Sequence, residues 1–243
     1  MKHLHQLSMA LLAILTAMNF AACSDDDNNE GGQGGQGGDT PGTFGKQLVW
    51  FREGGSDSDD IVDMHYGKDG WLNTAYSNFG REDDIMYRYE SDGGKYTIAT
   101  SYWSDGDIFC EYTFDNLLRR IDGESCEYDA EGHLISCGDY TFVWEGGNIV
   151  RCENGYDTVE YTYYTDMENK SPVFPDPLAE TFEDFFIQAH PQLLGTWSKN
   201  LVKTISNYDG ETVTWEYTLD SDGYVTSVKQ TDRDDYSYEY RWE

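Results

Sequence analysis

A short pattern recurs from Tyr87 to the C terminus, and it restricts the chain to few folds. Aromatic residues alternate with polar ones, an Asp/Asn/Gly turn follows, and an alternating aliphatic stretch completes the unit. Tyr87-Arg-Tyr89 leads through Asp92-Gly93-Gly94 to Tyr96-Thr-Ile98, and Tyr112-Thr-Phe114 through Asp115-Asn116 to Leu118 and Ile121. Cys126-Glu-Tyr128 leads through Asp129-Ala-Glu-Gly132 to Leu134-Ile135, and Tyr140 to Trp144 through Gly146-Gly147-Asn148 to Ile149-Val150. Trp215-Glu-Tyr217 leads through Asp220-Ser-Asp222-Gly223 to Val225 and Val228, and Tyr236 to Trp242 alternates to the end. A period of two sends every second side chain to the same face of a strand. Asp and Asn fold the turns by bonding nearby backbone amides, and Gly supplies the positive φ. Consecutive hairpins of this kind give an antiparallel meander. A meander this long has to curl or close to protect its edges, so the expectation is an all-β curved sheet or barrel over residues 46–243.

One segment breaks the period. After Ser171-Pro172-Val173-Phe174-Pro175, the residues Leu178, Phe182, Phe185, Phe186 and Ala189 recur at helical spacing up to Pro191. Asp176 is placed to cap and Pro177 to start one short helix over 177–190, with its phenylalanines plugging an open end of the sheet.

The N terminus reads as an address. Lys2, His3 and His5 precede an apolar run from Met9 to Leu15 that is shorter than a membrane span, which takes about 20 residues. Phe20-Ala21-Ala22-Cys23 then resembles a lipobox, the bacterial motif whose cysteine accepts a diacylglycerol, with Phe20 where Leu is usual. Residues 1–22 are therefore expected to be a lipoprotein signal peptide and Cys23 the lipidated residue. Ser24, Asp25, Asp26 and Asp27 resemble the surface-export signal of Bacteroidota lipoproteins; a plain acidic spacer facing the periplasm is the other reading. Residues 23–45, rich in Asp and Gly, form a flexible tether with a mean reach of roughly 25 Å. The expected location is the outer membrane, at the cell surface or on the periplasmic face.

Units such as Tyr128-Asp129-Ala130-Glu131-Gly132-His133-Leu134 resemble the YD repeats of the Rhs family. The body with its lipobox is similar to an uncharacterised family of Bacteroidota lipoproteins with a porin-like β fold. That resemblance implies the fold and the location over residues 46–243, and no activity. Rhs shells enclose a cargo, for which this chain is too short.

Charge limits the partners. The chain carries 46 acidic against 16 basic residues, a net −30, which repels nucleic acid and anionic lipid surfaces. The expected partners are the membrane, through the lipid, and an extracellular glycan or another envelope protein. Seven tryptophans could stack on sugar rings; Trp71 and Trp103, beside turns, are the expected exposed pair, the rest packing inside. Four cysteines remain after Cys23. Cys126 and Cys137 flank a turn and could pair across a hairpin, leaving Cys110 and Cys152 as a second bridge; four thiols are the alternative.

Motifs of chemistry are missing. There is no Gly-x-Ser-x-Gly, phosphate-binding loop, His-Glu-x-x-His or Cys-x-x-Cys, and His65, His133 and His190 stand isolated. Asp220-Ser-Asp222-Gly223 and Asp57-Ser-Asp59-Asp60 echo calcium loops, and weak Ca²⁺ binding is the minor reading beside plain turns. No cofactor or metal is expected. The sequence thus points to a non-enzymatic binding or structural module. The alternative is a polysaccharide hydrolase using two carboxylates, which so many acids cannot argue for or against.

Overall fold

A computed structural model describes residues 45–54, 59–77, 85–92, 95–102, 108–182, 185–207, 210–231 and 233–243. Cys23, Ser24 to Asp27 and Trp103 lie outside the described residues.

Sixteen strands follow one another around a closed antiparallel barrel. In chain order the first eight are β1 (Leu48–Gly54), β2 (Asp59–Tyr66), β3 (Leu72–Ser77), β4 (Ile85–Asp92), β5 (Lys95–Tyr102), β6 (Ile108–Phe114), β7 (Leu118–Ile121) and β8 (Glu124–Tyr128). The others are β9 (Leu134–Cys137), β10 (Tyr140–Glu145), β11 (Asn148–Glu153), β12 (Thr158–Glu168), β13 (Asn200–Ser206), β14 (Thr212–Leu219), β15 (Val225–Gln230) and β16 (Arg233–Trp242). Each pairs with its neighbours in sequence, and β1 closes on β16 from Leu48↔Trp242 to Gly54↔Ser237. The meander read from the sequence is therefore a closed barrel, not an open curved sheet.

Three turns at one end share one construction. In Gly67–Trp71, Asp129–His133 and Asp220–Tyr224 the first N–H donates to the fifth carbonyl and the fourth to the first. The fourth residue is Gly70, Gly132 or Gly223, with φ between 84° and 89°. Asp129 Oδ1 also accepts from the Glu131 and His133 amides, and Asp220 Oδ1 from those of Asp222 and Tyr224. The side chain fixes the turn, and Gly takes the left-handed step no β-carbon tolerates well.

At this same end the paired strands part, and aromatic tips bridge the gap. Pairing of β1 with β2 stops at Trp50↔Asp63, and of β13 with β14 at Thr204↔Thr214. Past those points the Leu48 carbonyl accepts from Tyr66 Oη, and the Val202 carbonyl from Tyr217 Oη at 2.7 Å. The same arrangement joins Tyr89 to Leu72, Trp144 to Leu134, Tyr163 to Ile149 and Trp242 to Val225. A buried carbonyl without a donor is costly, and each such bond contributes about 1 kcal/mol net. The richness in Tyr and Trp therefore serves the backbone as well as the core.

A sixteen-stranded barrel is too wide for its own side chains to fill. The segment between β12 and β13 supplies the rest. It contains α1 (Pro177–Thr181), α2 (Phe185–Ala189) and a 3₁₀ turn at Pro191–Leu194. Asp176 caps α1 by accepting from Leu178 N–H at 3.0 Å, with Pro177 in the first turn. The single helix expected over 177–190 is instead two: Phe182 leaves helical geometry at the α1 C-cap (φ −112°, ψ 75°) and packs on Phe142 of β10. The other phenylalanines fan outwards to different walls. Phe186 meets Trp71, Tyr87, Tyr112 and Phe114; Phe185 meets Phe51; Phe174 meets Trp215 and Tyr238.

The outward face is the reverse of a lipid-embedded barrel. Exposed strand positions include Asp63, Arg88, Glu90, Glu111, Arg120, Glu127, Glu160, Lys203, Glu216, Lys229 and Arg241, while the alternating positions are buried and apolar. A lipid-facing Arg or Lys near the bilayer centre costs about 2–4 kcal/mol, so this wall belongs in water.

Cys126 of β8 and Cys137 of β9 stand opposite each other in register and are joined by a disulfide. The second bridge considered for Cys110 and Cys152 is not made. They lie on β6 and β11, and the Cys152 thiol is buried beside Thr181 Oγ1 at 3.8 Å.

Candidate functional site

A pocket lies beside the plug at the barrel end where the chain enters. Its cavity of about 40 Å³ is bounded by Gly45 to Leu48, the Gly70 turn, Lys170-Ser171, residues 188–192, Trp197 and Trp242. Six separate stretches of chain meet there, positioned by the β1–β16 closure, the β2–β3 turn and the two ends of the plug.

The chemistry of the lining is unlike the rest of the molecule. No Asp or Glu lines it, in a chain with 46 of them. Three of the four glutamines that follow residue 44 do: Gln47, Gln188 and Gln192. Its two lysines are neutralised at the rim. Lys46 bridges Asp220 and Asp222 at 2.7 and 2.6 Å, and Lys170 pairs with Glu168. Hydrogen bonds to Asp220 and then Asp222 hold the Lys46 ammonium above its ordinary pKa. Gly45 (φ +73°) lies so close to Tyr224 that a β-carbon would sit 1.7 Å from the phenol oxygen, and Lys46 N–H donates to that oxygen at 3.1 Å. The start of the barrel is thus clamped beside the pocket.

Two nearly buried side chains in the lining have unspent hydrogen-bonding capacity. His190 is 2% exposed, and its Nε2 accepts from Leu72 N–H at 3.0 Å. Burial holds its pKa down to about 3, so the ring is neutral and its proton sits on Nδ1. That N–H has no acceptor among the described residues. Ser171 is 9% exposed, and its hydroxyl likewise has no partner among them. Gln192 makes no side-chain hydrogen bond to the described residues, and Gln47 spends only Nε2, on the Gly70 carbonyl. The indoles of Trp197 and Trp242 send their N–H groups to the carbonyls of Asn169 and Val225, leaving carbon faces as walls.

Of the two tryptophans singled out by sequence, the one among the described residues does not line the pocket. Trp71, expected to be exposed beside its turn, is only 8% exposed and packs against Phe114, Phe186 and His190. The plug expected from residues 177–190 covers it through Phe186 and His190, a contact between distant stretches that local reading does not reach. None of Ser171, His190 or the glutamines carried a motif; the clustering of glutamine around one cavity appears only in three dimensions.

Clustered acids have the chemistry of metal ligands and of catalytic pairs. Asp129, Glu131 and His133 bring ligand atoms within 4.8 Å of one another. They are the β8–β9 turn itself: Asp129 Oδ2 lies 2.8 Å from His133 Nδ1, its Oδ1 holds two backbone amides, and His133 stacks on Trp144. Asp220 and Asp222, the calcium-like turn, are engaged with Lys46. Three acids that reach the interior are also engaged. Glu180 accepts from Tyr161, Glu53 from Tyr238, and Asp176 from Leu178 N–H and Asn169 Nδ2. Nothing in this geometry favours a two-carboxylate hydrolase.

Comparison with solved structures matches this topology. A porin-like protein from Bacteroides uniformis superimposes with a TM-score of 0.52 at 17% identity, over 83% of this chain and 98% of that one. The fold is porin-like. A second porin-like protein, from Bacteroides vulgatus, aligns over 82% of this chain and 99% of that one at 12% identity, with a TM-score of 0.35. No protein-family model matches the chain, and no curated protein matches it in sequence. The porin-like barrel described here has its bore filled and its wall charged.

Proposed function

We propose that this protein is an outer-membrane lipoprotein, anchored through Cys23 and displayed at the cell surface by Ser24 to Asp27. Its barrel is a non-enzymatic module that binds a glycan of the envelope or its surroundings. The observation that carries the reading is the inverted distribution of polarity. Among the described residues, aromatic side chains fill the bore and charges cover the wall, the reverse of a water-filled, lipid-facing barrel. A porin-like fold of this kind needs a separate anchor to reside at a membrane. The lipobox-like Phe20-Ala21-Ala22-Cys23 supplies one, and the tether joins the barrel at Gly45. The acid-free, amide-lined pocket beside that junction supports binding of an uncharged polar ligand.

Protease shaving of intact cells, followed by detection of the barrel, tests the display. Removal of the signal from intact cells is expected. Protection with anchorage preserved moves the protein to the periplasmic face. Anchorage that survives Cys23→Ala refutes the lipid attachment.

A further inference from the structure

The cavity is small, and its size selects what can enter. About 40 Å³ holds roughly three waters, so a complete sugar ring stays outside while one substituent enters. That substituent carries no charge: the lining holds no acid, its lysines are paired, and His190 is neutral. It must accept a hydrogen bond, because His190 presents an N–H with no acceptor among the described residues. It must also engage Ser171 and Gln192, which both donate and accept. Finally it should carry a small apolar part, because Trp197 and Trp242 wall the cavity with carbon.

A lone hydroxyl meets the polar demands and leaves the indoles without a partner. A methyl group alone offers His190, Ser171 and Gln192 no hydrogen bond. An acetamido group meets all of them: a carbonyl to accept, an amide N–H to donate and a methyl for the indoles.

We propose that this cavity receives the acetamido group of an N-acetylated amino sugar, with the pyranose ring resting against the rim. The carbonyl oxygen accepts from His190 Nδ1–H and the Ser171 hydroxyl. The amide N–H donates to a glutamine side-chain carbonyl, and the methyl group packs on the indoles. A sugar that lacks the acyl group leaves the His190 and Ser171 donors to solvent and gains no hydrogen bond from them. This rests on reading the barrel as a glycan-binding module, and it names the chemical feature recognised.

The test is a ¹⁵N-detected titration of the full chain with the methyl glycoside of N-acetylglucosamine. Methyl glucoside and N-acetylglutamine amide serve as comparison ligands. Side-chain amide signals are assigned from Gln47→Ala and Gln192→Ala. The expected result is a saturable shift of the Gln47 and Gln192 amides with the N-acetylated glycoside, at least ten-fold weaker with methyl glucoside. Ser171→Val, which fills the cavity, and Gln192→Ala should each weaken binding at least ten-fold, with urea midpoints showing that both remain folded. No saturable shift, equal shifts with methyl glucoside, or undiminished binding in both variants overturns the proposal. Equal or tighter binding of the peptide amide overturns it in favour of a peptide ligand. The titration is independent of anchoring. A negative result with surface display intact removes the sugar alone, and a positive result with display lost removes the location alone.

Discussion

Replacing Asp176 with Asn should tilt the pH dependence of stability in a direction set by two buried groups. Asp176 is 3% exposed, and burial pushes its carboxyl up to about 7 despite hydrogen bonds from Leu178, Ala179 and Asn169. The unfolded chain titrates near ~3.9. As pH rises from about 3.9 to 7 the unfolded state ionises and the native state resists, so stability falls by ~1.4 kcal/mol per pH unit, about 4 kcal/mol in all. His190 acts in the opposite sense. Its native pKa is held down to about 3 against ~6.5 unfolded, so stability falls as pH drops through that window at the same rate. Between about pH 4 and 6.5 the two slopes cancel. Asn at 176 removes the first and keeps the second. It also keeps the α1 cap, because Asn caps as well as Asp. Its amide N–H can serve Asn169 Oδ1, a buried acceptor without a partner in the native protein. Urea denaturation followed by tryptophan fluorescence, repeated from pH 4.5 to 6.0, should show the variant gaining ~2 kcal/mol on wild type over that range. Taking the difference removes the contribution of the many other acids. Parallel profiles would mean that Asp176 is not neutral in the fold. A variant that loses ground as pH rises would show that its hydrogen bonds outweigh desolvation.

Three other outcomes follow from the packing, the disulfide and the charged wall. Phe186→Ala, at a fully buried position where the plug meets five aromatic walls, should lower the unfolding free energy by about 3–5 kcal/mol in urea titration. Cys126→Ser with Cys137→Ser removes a crosslink spanning 11 residues and should cost about 3 kcal/mol by the same assay, leaving the circular dichroism unchanged. In detergent phase separation the wild-type protein should enter the detergent phase and Cys23→Ala the aqueous phase; partition of the variant into detergent would contradict a water-facing wall.

What the sequence disclosed was local. Alternation at Tyr87 to Tyr89 and Trp215 to Tyr217, and the turns at Asp129 to Gly132 and Asp220 to Gly223, are written in adjacent residues, and they become strands and turns as read. The Asp176-Pro177 start of α1 is equally local. Closure was not legible, because Leu48 to Gly54 and Ser237 to Trp242 pair across nearly the whole chain. The helix break at Phe182 was hidden for a related reason: helical spacing marks residues that can share a face, and here Phe182 is drawn to Phe142 while Phe186 is drawn to Trp71. Trp71 looked exposed because its neighbours are turn residues, yet its cover comes from the plug. The pocket depends on the same long-range assembly, so Ser171 and His190 gained meaning only once the β2–β3 turn lay beside them.

The choice between a pore and a plugged, water-facing barrel is a matter of parity. In a strand the period is two, so shifting the apolar set by one residue exchanges the inside for the outside without changing the topology. Here Val62 and Met64 face in while Asp63 faces out, Tyr87 and Arg88 divide likewise, and Trp215 and Glu216 repeat the division. An apolar bore sixteen strands around collapses unless it is filled, which makes a plug a requirement of that parity. A plug that enters and leaves at one end cannot seal that end flush, because its two termini and the chain's own N and C termini must all pass there. The pocket of Gln47, Ser171, His190 and Trp242 lies at that crowded exit. Its position therefore follows from the same inversion that fills the bore.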